Sequence, residues 1–143
     1  MKYLQPWEIV YLHHRILKHY GGLLVPLSPG MQLFVEGLCA NILQICQYER
    51  VESVYELAAI YWKSLACGHI FSDGNKRTAI NAAYLVLHRN GIATQVPDDL
   101  VERVILCARA KITKSDLIGY IKEKICQKPE SAKRRSPTSL MNG

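Results

Sequence analysis

Between Ile80 and Leu87 every residue except Asn81 is apolar, and this run lies within a helical pattern from Ala79 to Arg89. A helix that is apolar nearly all round has no face to give to water, so it is expected to be buried. Directly before it stands the polar stretch Gly68-His69-Ile70-Phe71-Ser72-Asp73-Gly74-Asn75-Lys76-Arg77-Thr78. A polar loop that opens onto the N-terminus of a buried helix suits phosphate, because backbone N–H groups there lack intrahelical partners and the helix dipole favours anions.

At 143 residues the chain can bury one substantial core without disulfide or metal support, so a single domain is expected. Hydrophobic residues at 49% and charged residues at 21% exclude a collagen-like or wholly disordered chain. The net charge of +6 suggests nucleic acid until its position is considered. Lys128, Lys133, Arg134 and Arg135 against Glu130 place half of the excess after Gln127. The body is then only mildly basic, which weakens the case for a nucleic-acid-binding face. Cys39, Cys46, Cys67, Cys107 and Cys126 form no Cys-x-x-Cys pair and sit mostly among apolar neighbours. They read as buried small hydrophobes in a reducing compartment. Met1 to Pro6 lacks an apolar signal core and no run reaches membrane-spanning length, so a cytoplasmic protein is expected.

Pro6-Trp7-Glu8 reads as a helix start, and Ile9, Val10, His13, Ile16, Leu17 and Tyr20 recur at helical spacing up to Gly21-Gly22. His13, His14 and His19 have no acids or cysteines placed to complete a metal site, and read as partly exposed imidazoles. Pro26, Ser28, Pro29 and Gly30 carry turn chemistry and leave room for a short β-hairpin flap over Leu23 to Gly30. A second helix is expected from Gln32 to Gln47. Ser53-Val54-Tyr55-Glu56 has the form of a capping box and opens a third that leads into Gly68. After the buried fourth helix Asn90-Gly91 supplies a stop, Pro97-Asp98-Asp99 opens a fifth, and a sixth runs from about Ser115 to Cys126. Gln127 to Gly143 has almost nothing to bury and reads as a disordered basic tail. The fold class is therefore all-α, a compact bundle of about six helices.

The chemistry concentrates in the central stretch. His69 has the intrinsic pKa of a general base for an attacking hydroxyl, although taken alone a histidine there reads rather as a cap of the third helix. Asp73 can ligate Mg²⁺ or serve as N-cap of the fourth helix. Gly74 permits close approach of a phosphate or simply makes a turn, and Asn75 can donate to a phosphate oxygen. Arg77 offers a planar fork to phosphoryl oxygens and Lys76 a mobile point charge. Two cations in the first turn oppose the helix dipole, a local cost that an anionic ligand offsets. Each residue alone has a structural explanation. Together, a base, an acid, a close-approach glycine, an amide and two cations supply the parts for transfer from a nucleotide to a hydroxyl.

The run His69-Ile70-Phe71-Ser72-Asp73-Gly74-Asn75-Lys76-Arg77 resembles the signature of the Fic/Doc superfamily, and Lys76 is similar to its Doc (death-on-curing) toxin branch. Further likeness lies in Leu12-His13-His14-Arg15-Ile16-Leu17 through Gly21-Gly22, in Tyr55 to Ala59, and in Ala110 to Ile121, so that 1–126 would form the catalytic domain. The resemblance implies a Fic-type helical fold with a flap and an ATP–Mg²⁺ site. It implies His69 as base, Asp73 as metal ligand, and Gly74, Asn75 and Arg77 as phosphate binders, with Phe71 anchoring the loop in the core. A glycine at the position of Lys76 goes with adenylylation in the Fic branch. A lysine goes with ATP bound in the reverse sense and transfer of the γ-phosphate, for which elongation factor Tu is the known family target. The implied reading is a protein kinase toxin that blocks translation. The alternatives are an adenylyltransferase or a catalytically degenerate Fic-fold binding module. The chain lacks the Ser/Thr-x-x-x-Glu-Gly/Asn inhibitory motif, so restraint would come from a separate Phd-type antitoxin.

Overall fold

Six consecutive residues, Leu57 to Trp62, are buried in the third helix of the bundle, and this helix is the hub on which the others pack. The computed structural model describes residues 1–20, 28–68, 71 and 74–127. Its helices are α1 (Pro6–Tyr20), α2 (Pro29–Tyr48), α3 (Val54–Gly68), α4 (Asn75–Arg89), α5 (Leu100–Ala108) and α6 (Lys114–Tyr120), the last running on into a π-helical turn over Ile121–Ile125. The all-α reading is borne out. The expected flap falls largely on residues outside those described, as does the expected tail beyond Gln127.

The helix that the sequence marks as most buried, α4, shares the largest interface of the bundle with α3. Its Ala79, Ala82, Ala83, Val86 and Leu87 are at 0% exposure, while Asn81 faces solvent as the single polar break in the run. The hub is nonetheless α3, which also contacts α2, α5 and α6. The reason is composition: α4 spends its first turn on the exposed Lys76 and Arg77 and its last on His88 and Arg89.

Local signals account for most helix ends. Ser53 Oγ accepts from Glu56 N at 3.3 Å, but the Glu56 carboxylate turns to Lys114 Nζ at 3.3 Å, so only half of the expected capping box forms there. A complete box forms at α6, where Thr113 and Asp116 bond each other's backbone N–H at 3.1 and 3.4 Å. Gly91, at φ +81°, ends α4 as expected, with Gly91 N bonding His88 O and Ile92 N bonding Leu87 O in a Schellman pattern.

Two expectations need correction. α2 starts at Pro29 rather than Gln32, because Ser28 caps it by accepting from Met31 N at 3.1 Å and Pro29 sits where its missing N–H costs nothing. α6 leaves α-helical geometry at Ile121, and Cys126 pairs with Thr94 in an isolated antiparallel bridge instead of ending a helix. Gln127 N then donates to Ala93 O at 3.0 Å, so the body holds the chain up to that residue.

Four of the five cysteines are buried and all are free. Burial pushes the Cys39, Cys107 and Cys126 thiols up to about 11, with Glu8 and Cys67 adding to the effect at Cys39 and Cys107 respectively. They pack as small hydrophobes, as the sequence suggests. Among the described residues no helix is long and apolar enough to cross a membrane.

Two anchors fix how α1 lies on α4. Glu8, 6% exposed, pairs with Arg89 at the far end of α4 and accepts from Gln5 N at 2.9 Å. At the other end, the second half of α1 meets the start of α4. The two helices therefore run antiparallel, and this brings Tyr20 beside the first turn of α4.

Candidate functional site at the start of α4

The site is assembled from the end of α3, the loop that follows and the first turn of α4. His69 and Asp73, the expected base and metal ligand, lie outside the described residues. Ile70 and Ser72 lie outside them too, while Phe71, Gly74, Asn75, Lys76 and Arg77 are placed.

Phe71 is 4% exposed and plunges into the core, the anchoring role that the family resemblance implies. It is gripped twice. The ring of His13 stacks on it with centroids 3.7 Å apart and planes 10° from parallel. Asn75 brackets its backbone: Phe71 N donates to Asn75 Oδ1 at 3.1 Å, and Asn75 Nδ2 donates to Phe71 O at 2.7 Å. These two bonds tie the backbone of Phe71 to the first residue of α4. They also revise the expectation for Asn75, whose carbonyl oxygen and one amide hydrogen are committed to the loop. The second hydrogen on Nδ2 is the donor a phosphate could take.

Gly74 is the N-cap of α4 at φ +79°, a left-handed conformation that side-chain-bearing residues adopt at a cost. A Cβ placed there would lie 3.4 Å from Leu17 Cδ2 and 3.5 Å from His13 Cδ2. Glycine thus serves the left-handed turn, and a Cβ there would only come into ordinary contact with α1. It offers no capping side chain, and the first turn of α4 contains no acid. Thr78 N closes the first helical bond to Gly74 O at 3.0 Å, so the N–H groups of Asn75, Lys76 and Arg77 have no carbonyl within the helix to receive them.

Lys76 and Arg77 are both exposed. The Arg77 guanidinium lies over the ring of Tyr20, 4.2 Å from its centroid, and the Arg77 carbonyl accepts from Asn81 Nδ2 at 2.8 Å. The Thr78 hydroxyl, fully buried, finds no partner among the described residues. An N-terminus whose N-cap is a glycine, followed by two solvent-facing cations, is chemically fitted to a polyphosphate.

The sequence missed His13. Expected to be partly exposed, it is 6% exposed, while His14 and His19 face solvent. Its place on the inward stripe with Ile9, Ile16 and Leu17 was the available signal, since that stripe is the buried face of α1.

Beside the site lies a groove of about 740 Å³, lined by Leu33, Phe34, Gly37 and Leu38 of α2 and by Cys67 and Gly68 of α3. Leu33 and Phe34 are 68% and 69% exposed.

A helical bundle that presents this loop at the start of a buried helix belongs to a defined class. The chain is a member of the Fic/DOC family, whose profile matches residues 3–87. More particularly, it is similar to the protein kinase doc of Escherichia phage P1, with 33% identity over 122 residues that cover 85% of this chain and 94% of that protein.

Proposed function

We propose that this chain is a Doc-type toxin kinase that transfers the γ-phosphate of ATP to a Ser or Thr hydroxyl of a protein, with elongation factor Tu as the candidate target and arrest of translation in the cytoplasm as the result. The observation that carries the reading is Lys76: it stands exposed in the first turn of α4, beside Arg77, in a chain similar to a protein kinase. In the proposed step the target oxygen bonds to the γ-phosphorus, the bond from that phosphorus to the bridging oxygen of ADP breaks, and His69 takes the hydroxyl proton. The N–H groups at the start of α4, the spare Asn75 amide hydrogen, Lys76 and Arg77 neutralise and orient the phosphates. Asp73 would hold Mg²⁺, which when bound supplies further neutralisation of phosphate charge.

Residues 1–126 form the catalytic unit in this reading, and the basic segment 127–143 is dispensable for transfer. A separate Phd-type antitoxin restrains the enzyme through a segment that orders on binding, and the groove with its exposed Leu33 and Phe34 is the surface such a segment would cover. Incubation of the chain with elongation factor Tu and ATP labelled at either the α- or the γ-phosphate tests the reaction. Label arriving from the γ-phosphate alone is expected. Label arriving from the α-phosphate would replace the kinase by an adenylyltransferase, and unchanged toxicity of His69→Ala in cells would remove the catalytic reading altogether.

A further inference from the structure

Three residues of α1 at helical spacing, His13, Leu17 and Tyr20, meet three residues of the site spaced three apart. His13 takes Phe71, His13 and Leu17 wall Gly74, and Tyr20 takes Arg77. The Glu8–Arg89 pair at the far end of the two helices sets this register. The first two contacts are packing. The third is different, because Arg77 is exposed and nothing about the core requires it to be held.

We propose that Tyr20 is a positioning residue for phosphate binding: its ring holds the Arg77 guanidinium by the face, so that the charge and the N–H edge stay available to the donor nucleotide. This rests on the reading of Arg77 as a phosphate ligand. A long arginine side chain that is free in solvent must be ordered when ligand binds, and that ordering weakens binding. A carboxylate could order it beforehand, but would also spend its charge and its forked donors. Among the described residues no carboxylate pairs with Arg77. An aromatic face engages the cation through its flat side and leaves the five edge hydrogens unbonded, which is the geometry bidentate phosphate recognition needs. The backbone beneath is already fixed by the Asn81 bond to the Arg77 carbonyl. Tyr20 ends α1 and is 52% exposed, so its role is not to fill the core.

The test is equilibrium binding of ATP, with Mg²⁺, to the full chain by calorimetry, with melting temperature recorded for each variant. Tyr20→Leu keeps apolar bulk but removes the π face, and is expected to raise the ATP Kd about fivefold, the ratio that corresponds to roughly 1 kcal/mol for an exposed cation–π contact, while the melting temperature stays in place. Tyr20→Phe should bind ATP as the parent does, since the contact uses the ring and not the hydroxyl. In an Arg77→Ala background, Tyr20→Leu should change nothing further. Equal Kd for Tyr20→Leu and the parent would overturn the inference, as would an undiminished effect in the Arg77→Ala background, or a loss in Tyr20→Phe as large as in Tyr20→Leu. Failure of the unmodified chain to bind ATP would overturn the nucleotide reading and this inference with it. Binding by the parent with no sensitivity at Tyr20 overturns this inference alone.

Discussion

Asn75 allows the strut and the ligand to be told apart. Its side chain makes two bonds to the backbone of Phe71, at 3.1 and 2.7 Å, in a partly buried loop. Asn75→Ala removes both and strands an N–H and a carbonyl. At about 1 kcal/mol for each neutral bond the loss is about 2 kcal/mol. For a domain of this size that lowers the melting temperature by about 6 °C. Asn75→Asp is a subtler change. One carboxylate oxygen still accepts from Phe71 N, now as a charge-assisted bond, and an acid at the first position of α4 gains from the helix dipole. The other oxygen, however, faces the Phe71 carbonyl across the former 2.7 Å bond, acceptor against acceptor. The net loss should be about 1 kcal/mol, smaller than for alanine. For ATP the order should reverse, because aspartate sets a negative charge beside the phosphates and alanine does not. Melting by circular dichroism and ATP titration on the same three proteins check both orders. If Asn75→Ala melts with the parent, the loop is not held by Asn75. If aspartate binds ATP better than alanine, the phosphates do not approach the start of α4.

Three further outcomes are expected. Arg89→Met should destabilise more than Glu8→Gln, by about 2 against about 1 kcal/mol in urea melts, because the first strands a buried carboxylate and the second keeps an acceptor for Gln5 N; equal losses would show that the pair does not register α1 on α4. Gly74→Ala should cost about 1 kcal/mol for the left-handed backbone, and Gly74→Val clearly more, since atoms beyond Cβ must pass Leu17 Cδ2, which a Cβ already meets at 3.4 Å. Alkaline stability carries a sign that can be worked out. Cys39, Cys107 and Cys126 ionise near 9 when exposed but only at about 11 in the fold, so between those values the unfolded chain releases protons that the folded chain keeps, and stability falls as pH rises from 9 to 11. Unfolding free energies that stay flat across that window would refute the burial of these thiols.

How far the sequence carries depends on whether a feature is local. The buried α4, the Gly91 stop and the capped start of α6 are written in neighbouring residues, and each is legible because its physics closes within one or two turns. Ser28-Pro29 shows where local signals are ambiguous: serine and proline mark a helix start as well as a turn, and only the Met31 N–Ser28 Oγ bond decides between them. His13 shows what no local signal contains. Its spacing places it on the inward stripe of α1, but that an imidazole there should stack on Phe71, fifty-eight positions onward in the chain, follows only from the antiparallel seating of α1 on α4.

The same seating changes how the motif itself should be understood. Read along the chain, Phe71, Gly74, Asn75 and Arg77 are parts of one phosphate loop with separate roles. In the fold they divide by what they touch. Phe71 and Asn75 grip each other, Gly74 turns the chain beside His13 and Leu17, and Arg77 leans outward on Tyr20. Most of the described motif is therefore spent on holding the loop, and its described side chains left facing solvent are the two cations. A substitution in α1 that never touches a phosphate should thus disturb the site as much as one within the motif. His13→Ala is the sharpest case: it removes a stacked aromatic partner from Phe71 and a wall from Gly74, and should cost about 2 kcal/mol from lost ring stacking and packing. Proteolysis of the loop at native temperature measures this directly, and cleavage no faster than in the parent would show that Asn75 alone holds Phe71 in place.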